Sequence, residues 1–475
     1  MLHTGYGSRI NVTTSSNLIL TEYAGLMGVL DQFRALGIWE TILNEVSAFL
    51  PTAKRKTAYS GVQLFIQRFA GLVVGKEDLN DAPILNRDEG FKLALGVHQL
   101  ASTSTLCRFE NDTTPQTTEA MLRALHKLFI NHTDRPRVIF LDADSTPIPL
   151  HGYQEGLEYN GHYGSNCYLP LVVFANGIPV HVVNASGTED GRNLLEPIVF
   201  DLIDEIRAAF PDVQIVLRAD AGFNRDSIIK KLEEKSVYYL IGFGVNKVIQ
   251  KIVVTEWEPE VVRTFSRPLD KATVVRALGD LHNYQARSWT TKRRVIVRDQ
   301  VAPKPLITRA EREAGKVGEP EEDTRLIVTN IPREGIPGWC SMYEATAQNL
   351  YEHFYCQRAS ECENRIQMLK TQAYGKRASC MSFQTNTYRL LLSALVASAM
   401  TLLQRIVYAG FEHKGGWSDI TLTRMRNEVI NIVGKLNWRR GQWRIHIPKI
   451  KLLCEEGFRI LMRLPVKHCY PELFG

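Results

Sequence analysis

At 475 residues the chain is too long for one ordinary hydrophobic core, and it predicts roughly two to four domains. Its 44% hydrophobic and 23% charged residues are an ordinary globular balance, which excludes wholesale disorder. A net charge of +6 is compatible with a nucleic-acid partner without requiring one, so the placement of the basic residues matters more than their sum.

The eight cysteines form no C-x-x-C pair and have no His-x-x-x-His companion. That pattern predicts no structural zinc site, and reduced thiols in a cytoplasmic protein. The first residues lack the basic and apolar regions of a signal peptide. The longest uncharged run, between Arg389 and Arg405, is diluted by Ser393, Ser398, Thr401 and Gln404. It predicts a buried core helix and no membrane span.

Residues 1–135 predict a helical region. Tyr23, Leu26, Leu30 and Phe33 recur at helical spacing, as do Leu64, Phe65, Phe69 and Leu72 beyond a basic link, Lys54-Arg55-Lys56. Ser102 is an N-cap candidate for a short helix carrying Arg108, and Thr114-Pro115 starts another. Two helices across a hydroxyl-rich turn suit a helix-turn-helix DNA reader, although a plain packing module has the same pattern and is commoner.

From residue 136 the texture changes to strands. The run 137–144 is apolar and ends in acids; 168–175 and 178–183 are β-rich and joined by Asn176-Gly177, a tight-hairpin signal. A helix over 193–210, a strand over 213–218, a helix over 226–235 and a strand over 237–243 follow. This β-β-β-α-β-α-β order across 136–243 predicts an α/β, ribonuclease H-like core with a mixed sheet. Residues 244–340 predict a β-rich insertion, with strands at Val253, Val261-Val262, 273–276, 295–297 and 326–328, and a mobile hairpin tip over 304–323. Core helices resume over 341–410, with one from Tyr343 to Tyr374. The segment 411–475 is predicted basic and helical, with Arg424, Arg426, Lys435, Arg439, Arg440, Arg444, Lys449 and Lys451 around Trp438 and Trp443.

Asp144 ends the first strand, with Asp142 two residues earlier on the same face. Asp220 ends the strand over 213–218. If those strands are neighbours, two carboxylates project from one sheet edge and repel each other unless a cation joins them, which favours Mg²⁺ or Mn²⁺ over zinc. A third acid from a helix would complete a two-metal site. An isolated Asp after a strand is more often a turn former or cap.

The strings Leu141-Asp-Ala-Asp-Ser-Thr-Pro-Ile, His151-Gly-Tyr-Gln-Glu155, Tyr159-Asn-Gly-His-Tyr-Gly164 and Arg218-Ala-Asp-Ala-Gly-Phe223 resemble the transposases of bacterial insertion sequences. So do Tyr355-Cys-Gln-Arg358, Glu363-Asn-Arg-Ile and Lys370, which resemble a tyrosine–arginine–glutamate–lysine signature. The resemblance is to the IS-thirteen-eighty group of the DDE superfamily and runs from about residue 60 to about residue 375. It implies a metal-dependent enzyme that cuts double-stranded DNA at terminal inverted repeats and joins it to target DNA. Asp144, Asp220 and Glu363 would bind metal, with Asp142 as a further ligand or supporting acid. Tyr355, Arg358, Lys370 and Arg108 would contact DNA, and the protein would act as a homodimer or larger synaptic complex.

Two departures from the pattern stay open. The signature places three residues between its arginine and glutamate, whereas Arg358 is followed by Glu361 and Glu363. Glu363 keeps the spacing to Lys370, and Glu361 points about 160° away around a helix of roughly 3.6 residues per turn. Asp-x-Thr ending in Thr146 favours Asp144 over Asp142. The rival functions are a ribonuclease H-like nuclease without strand transfer, or a DNA-binding protein derived from a transposase; a glycosidase acid pair comes last. Trp289 suits a core position better than a base-stacking one, and His162 and Tyr163 are further substrate candidates beside structural ones.

Overall fold

The computed structural model describes residues 2–3, 9–10, 19–52, 59–267, 272–304, 319–337, 344–407, 421–440 and 442–447. The Lys54-Arg55-Lys56 link, positions 305–318 of the predicted tip, and Lys449 and Lys451 lie outside the described residues. Two compact units are formed: Met1–Ala124, Met368–Arg377 and Gln384–Gly475 make one, Leu125–Gln367 and Ala378–Phe383 the other.

The second unit is built on nine strands. In chain order these elements are β1 (Val138–Ser145), β2 (Leu171–Ala175), β3 (Ile178–Val183), α1 (Gly191–Ala209), β4 (Gln214–Ala219), α2 (Asp226–Glu234), β5 (Tyr238–Phe243), α3 (Lys247–Thr255), β6 (Val261–Ser266), β7 (Thr273–Tyr284), β8 (Arg293–Pro303), β9 (Pro320–Thr329) and α4 (Cys356–Gln367). The sheet order is β6-β7-β8-β9-β5-β4-β1-β2-β3. The β1–β4 and β4–β5 pairs are parallel, and every other pair is antiparallel. The predicted strand–helix alternation is therefore present through β5. The turn between β2 and β3 puts Asn176 at φ 48 and Gly177 at φ 77, the left-handed pair that Asn-Gly supplies.

The central strands read as apolar runs because both faces are covered. Ile139, Leu141, Ile215, Leu217, Tyr239 and Ile241 are fully buried. α1 contributes Leu195, Val199, Leu202 and Ile206, and α2 contributes Ile228, Ile229 and Leu232. The later strands do not form a separate β body: β9 pairs with β5, so β6–β9 widen the same sheet. On that extension Leu278, Ile296 and Ile327 pack with Ala345, Ala347, Leu350 and Tyr351, which anchors the chain just before α4.

Three expectations are corrected. Val253 lies in α3, not in a strand, because Asn246 caps a helix there by accepting from the backbone N–H groups of Val248 and Ile249. Residues 320–323 belong to β9 and are no part of a tip. The helix predicted from Tyr343 to Tyr374 begins at Ala347 and is α-helical over Ala347–Asn349 and Cys356–Gln367, with π-helical turns at Leu350–Tyr355 and Met368–Gln372.

The first unit is mainly helical, with Leu26–Ala35, Ile38–Val46, Gly61–Val73, Thr103–Asn111 and most of Phe383–Val407. Ser102 caps Thr103–Asn111 as expected. Glu110 is fully buried and accepts from Arg68 and Arg389, each at 2.7 Å. Phe383–Arg405 is long and apolar enough to cross a membrane, but 89% of its most apolar window is buried within the protein, as for a core helix. The basic C-terminal segment is not helical throughout. Gly434–Arg439 and Gln442–His446 form a hairpin that joins Ile19–Thr21 in a three-stranded sheet, since alternating Leu436 and Trp438 suit a strand.

In the second unit His126 bonds Glu205 of α1 at 2.7 Å and His181 of β3 at 2.9 Å. Burial, reinforced by His126 and opposed by Glu205, pushes His181 from 6.5 down to about 3. The unfolded chain takes up that proton more readily, so stability falls as pH drops from 6.5 towards about 3. His181→Phe is expected to flatten this acid loss in urea midpoints measured at stepped pH; an unchanged slope would assign the loss elsewhere.

Candidate active site

β1 and β4 run parallel with Arg218 opposite Asp142 and Ala219 opposite Ala143. One step further, Asp220 comes beside Asp144 at the same sheet edge, on strands about 4.8 Å apart. Side-chain alternation puts Asp142, Asp144, Arg218 and Asp220 on one face. That face carries two successive pairs with different electrostatics.

The inner pair is neutralised. Arg218 donates to both Asp142 oxygens, at 2.6 and 2.8 Å, and to the Phe354 carbonyl at 2.8 Å. Its guanidinium lies 4.6 Å from the Phe140 ring centre, and it also donates to Glu361 at 3.1 Å. Asp142 and Arg218 are both buried. Burial raises the Asp142 carboxyl against the opposing pull of Arg218. Asp142 is thus engaged by an arginine.

The outer pair lacks such a partner between its members. Asp144 is pushed up to about 6, first by burial, with Arg358 opposing and Asp220 and Glu363 adding to the rise. Arg358 approaches Asp144 at 3.4 Å and the Ala143 carbonyl at 3.5 Å. Asp220 caps the turn Ala221–Phe223, accepting from the Gly222 N–H through Oδ1 at 2.8 Å. The common role of an Asp after a strand is therefore fulfilled here together with its place beside Asp144.

α4 sorts the two glutamates. Both are exposed; Glu361 bonds Arg218, whereas the charge of Glu363 reaches Asp144. Between them, at the spacing where the resembled signature has its glutamate, lies Cys362, buried, its thiol pushed up by burial and then by Asp144 and Asp142. Tyr355 is pushed up to about 12, chiefly by burial. Its hydroxyl lies over Gly242 of β5: a Cβ at Gly242 would sit 2.9 Å from that oxygen and 2.5 Å from the Ala221 nitrogen. Only glycine lets Tyr355 and the Asp220 turn close on β5 there.

Arg358, expected to contact DNA, is 6% exposed and faces Asp144, and among the described residues its Nε has no hydrogen-bond partner. Lys370 lies on the π-helical turn Met368–Gln372, which belongs to the first unit. The α-helical spacing expected to align it with Glu363 ends at Gln367, because a π turn closes i→i+5 bonds and changes the phase. Burial, then Lys376, lowers the Lys370 ammonium. Arg108 is exposed on Thr103–Asn111 in the first unit. Trp289 is a core residue under Arg293, whose guanidinium is 5.3 Å from its ring centre. His162 is exposed, and its ring meets Tyr163 at 4.8 Å. Tyr163 is raised by burial and then by Asp144 and Asp220.

Arg218, Cys362 and Gly242 had no assigned role from sequence. The available signal was the two-residue phase of Arg218 with Asp220 on one strand, which marks a buried charge needing an acid opposite. As to a metal, Asp144, Asp220 and Glu363 offer only hard oxygen donors, and Asp144 is raised chiefly by burial, with Asp220 and Glu363 adding to it. That chemistry fits Mg²⁺ or Mn²⁺. Among the described residues, no three His, Cys, Asp or Glu side chains stand grouped as metal ligands.

Among solved structures, a piggyBac transposase synaptic complex with hairpin DNA is similar at a TM-score of 0.41 and 12% identity, over 85% of this chain and 78% of that one. No curated protein matches. The family described as transposase DDE domain group 1 matches residues 19–464. With a match running through nearly all of its length, the chain belongs to the DDE transposases of that group.

Proposed function

We propose that this DDE transposase cuts DNA at the terminal inverted repeats of a mobile element and joins the freed 3′ ends to target DNA, using Asp144, Asp220 and Glu363. The observation that carries the assignment is the contrast on one sheet face: Asp142 has its own arginine, while Asp144 and Asp220 meet at the strand ends with a raised Asp144. The β-β-β-α-β-α-β order and the sheet order β3-β2-β1-β4-β5 support a ribonuclease H-like core. The motif strings support the IS-thirteen-eighty group.

Asp144 and Asp220 would hold Mg²⁺ or Mn²⁺ from the strand ends, and Glu363 from α4. When bound, the cations supply Lewis-acid polarisation of the phosphate and an activated water. Asp142 supports from behind, keeping Arg218 fixed against Phe354 and Glu361. Arg358 offsets the carboxylate charge next to Asp144. Tyr355, Lys370 and Arg108 are assigned to DNA, with the helical N-terminal region reading the repeats. Assembly as a homodimer or larger synaptic complex fits joining of two ends.

Glu363→Gln is expected to lower Mg²⁺-dependent nicking of a duplex carrying the element's end by about 10³-fold, on the scale of losing one member of a catalytic set. Glu361→Gln should retain most nicking, and both variants should retain a gel shift. The reverse ranking would move the third carboxylate to Glu361. Recovery of a joined donor–target product from wild type separates transposition from simple nuclease action.

A further inference from the structure

The hairpin of Gly434–Arg439 and Gln442–His446 has two faces of opposite character. Its cross-strand pairs are Lys435 with His446, Leu436 with Ile445, Asn437 with Arg444, Trp438 with Trp443 and Arg439 with Gln442. Alternation therefore puts Lys435, Asn437, Arg439, Gln442, Arg444 and His446 on one face. Leu436, Trp438, Trp443 and Ile445 share the other.

The apolar face is anchored only at its base. Leu436 is buried, whereas towards the turn Trp438 is 59% exposed and Trp443 37% exposed. The two indoles meet edge to face at 5.3 Å between ring centres. On the polar face Lys435, Arg439 and Arg444 are exposed, and Arg440 in the turn is exposed as well. No Asp or Glu occurs between Gly434 and His446. Among the described residues none of these four cations is ion-paired, although many other arginines of the protein are. An exposed cationic ribbon without counter-charges fits a polyanion, and a two-stranded ribbon is of a size that the major groove admits.

We propose that this hairpin is a DNA-binding surface separate from the carboxylate site. Lys435, Arg439 and Arg444 take the sugar–phosphate backbone of duplex DNA, and the tryptophan pair on the opposite face holds the two strands together. The inference rests on the reading of the chain as a DNA transposase, but it assigns a surface on the first unit that the cutting chemistry does not use.

The test is fluorescence anisotropy of the full chain with a labelled random-sequence duplex across a salt series. Each lost phosphate contact lowers the slope of log K against log salt by about 0.9. The triple variant Lys435→Ala, Arg439→Ala, Arg444→Ala is expected to lose about 2–3 from that slope. The charge-keeping variant Lys435→Arg, Arg439→Lys, Arg444→Lys should keep it, which separates charge from folding. Trp438→Ala, on the opposite face, should leave the slope unchanged. An unchanged slope in the alanine variant would overturn the hairpin assignment while leaving end nicking, and so the transposase reading, intact. So would a change in oligomeric state without a change in slope, which would make the hairpin an interface between copies. Wild type that binds no duplex at all would overturn both.

Discussion

Asp220→Asn is expected to lower DNA nicking by about 10³-fold or more while leaving the fold and DNA binding in place. The substitution is nearly isosteric, and the geometry says which functions it separates. Asp220 Oδ1 accepts from the Gly222 N–H at 2.8 Å, holding the Ala221–Phe223 turn. An asparagine side-chain oxygen accepts that bond equally well, since Asn and Asp cap alike. What is lost is the charge beside Asp144, and with it the anionic ligand that the proposed function assigns to a divalent cation. The measurement is plasmid or oligonucleotide nicking in Mg²⁺, with a gel shift and an unfolding curve on the same preparation. Wild-type nicking by Asp220→Asn would remove Asp220 from the catalytic set.

Arg218→Leu is expected to destabilise the second unit by about 3–5 kcal/mol, the usual cost of leaving a buried charge without its partner. Arg218 and Asp142 are 2% and 1% exposed in their side chains and bonded through two oxygens. Removing the guanidinium also strips a donor from the Phe354 carbonyl and from Glu361. The loss should appear in the urea midpoint, and nicking should fall with it, because the α4 segment loses its tie to β4. The double variant Asp142→Leu, Arg218→Leu should recover much of the stability, since apolar replacement of a whole buried pair is often neutral. If the double loss equals the sum of the single losses, the two side chains are not coupled as the distances indicate.

Several elements are legible in the residues themselves because short-range rules fix them. Asn176-Gly177 sets its own left-handed turn, Ser102 caps its helix, and the apolar runs at Ile139 and Ile215 mark strands covered on both faces. Val253 is misread as a strand because a cap supplied by Asn246 outweighs a β-branched residue's preference. The helix that carries Glu363 passes into a π-helical turn at Met368, a change that leaves no mark in residue spacing. The neighbours of a basic residue one turn from an acid, such as Arg358, are likewise set by the fold. Here the neighbour is Asp144.

Membership of the DDE transposases is written in the chain itself, because the aspartates, the glutamate and their surrounding strings are local patterns carried by single strands and one helix. The same local patterns put Asp144 and Asp220 at strand ends. That those strands are parallel neighbours in register is a property of the folded sheet alone. So is the placing of Arg218 opposite Asp142, which leaves Asp144 as the acid without an arginine across the sheet. Register and pairing depend on contacts between residues 76 apart in the chain, and no local periodicity encodes them.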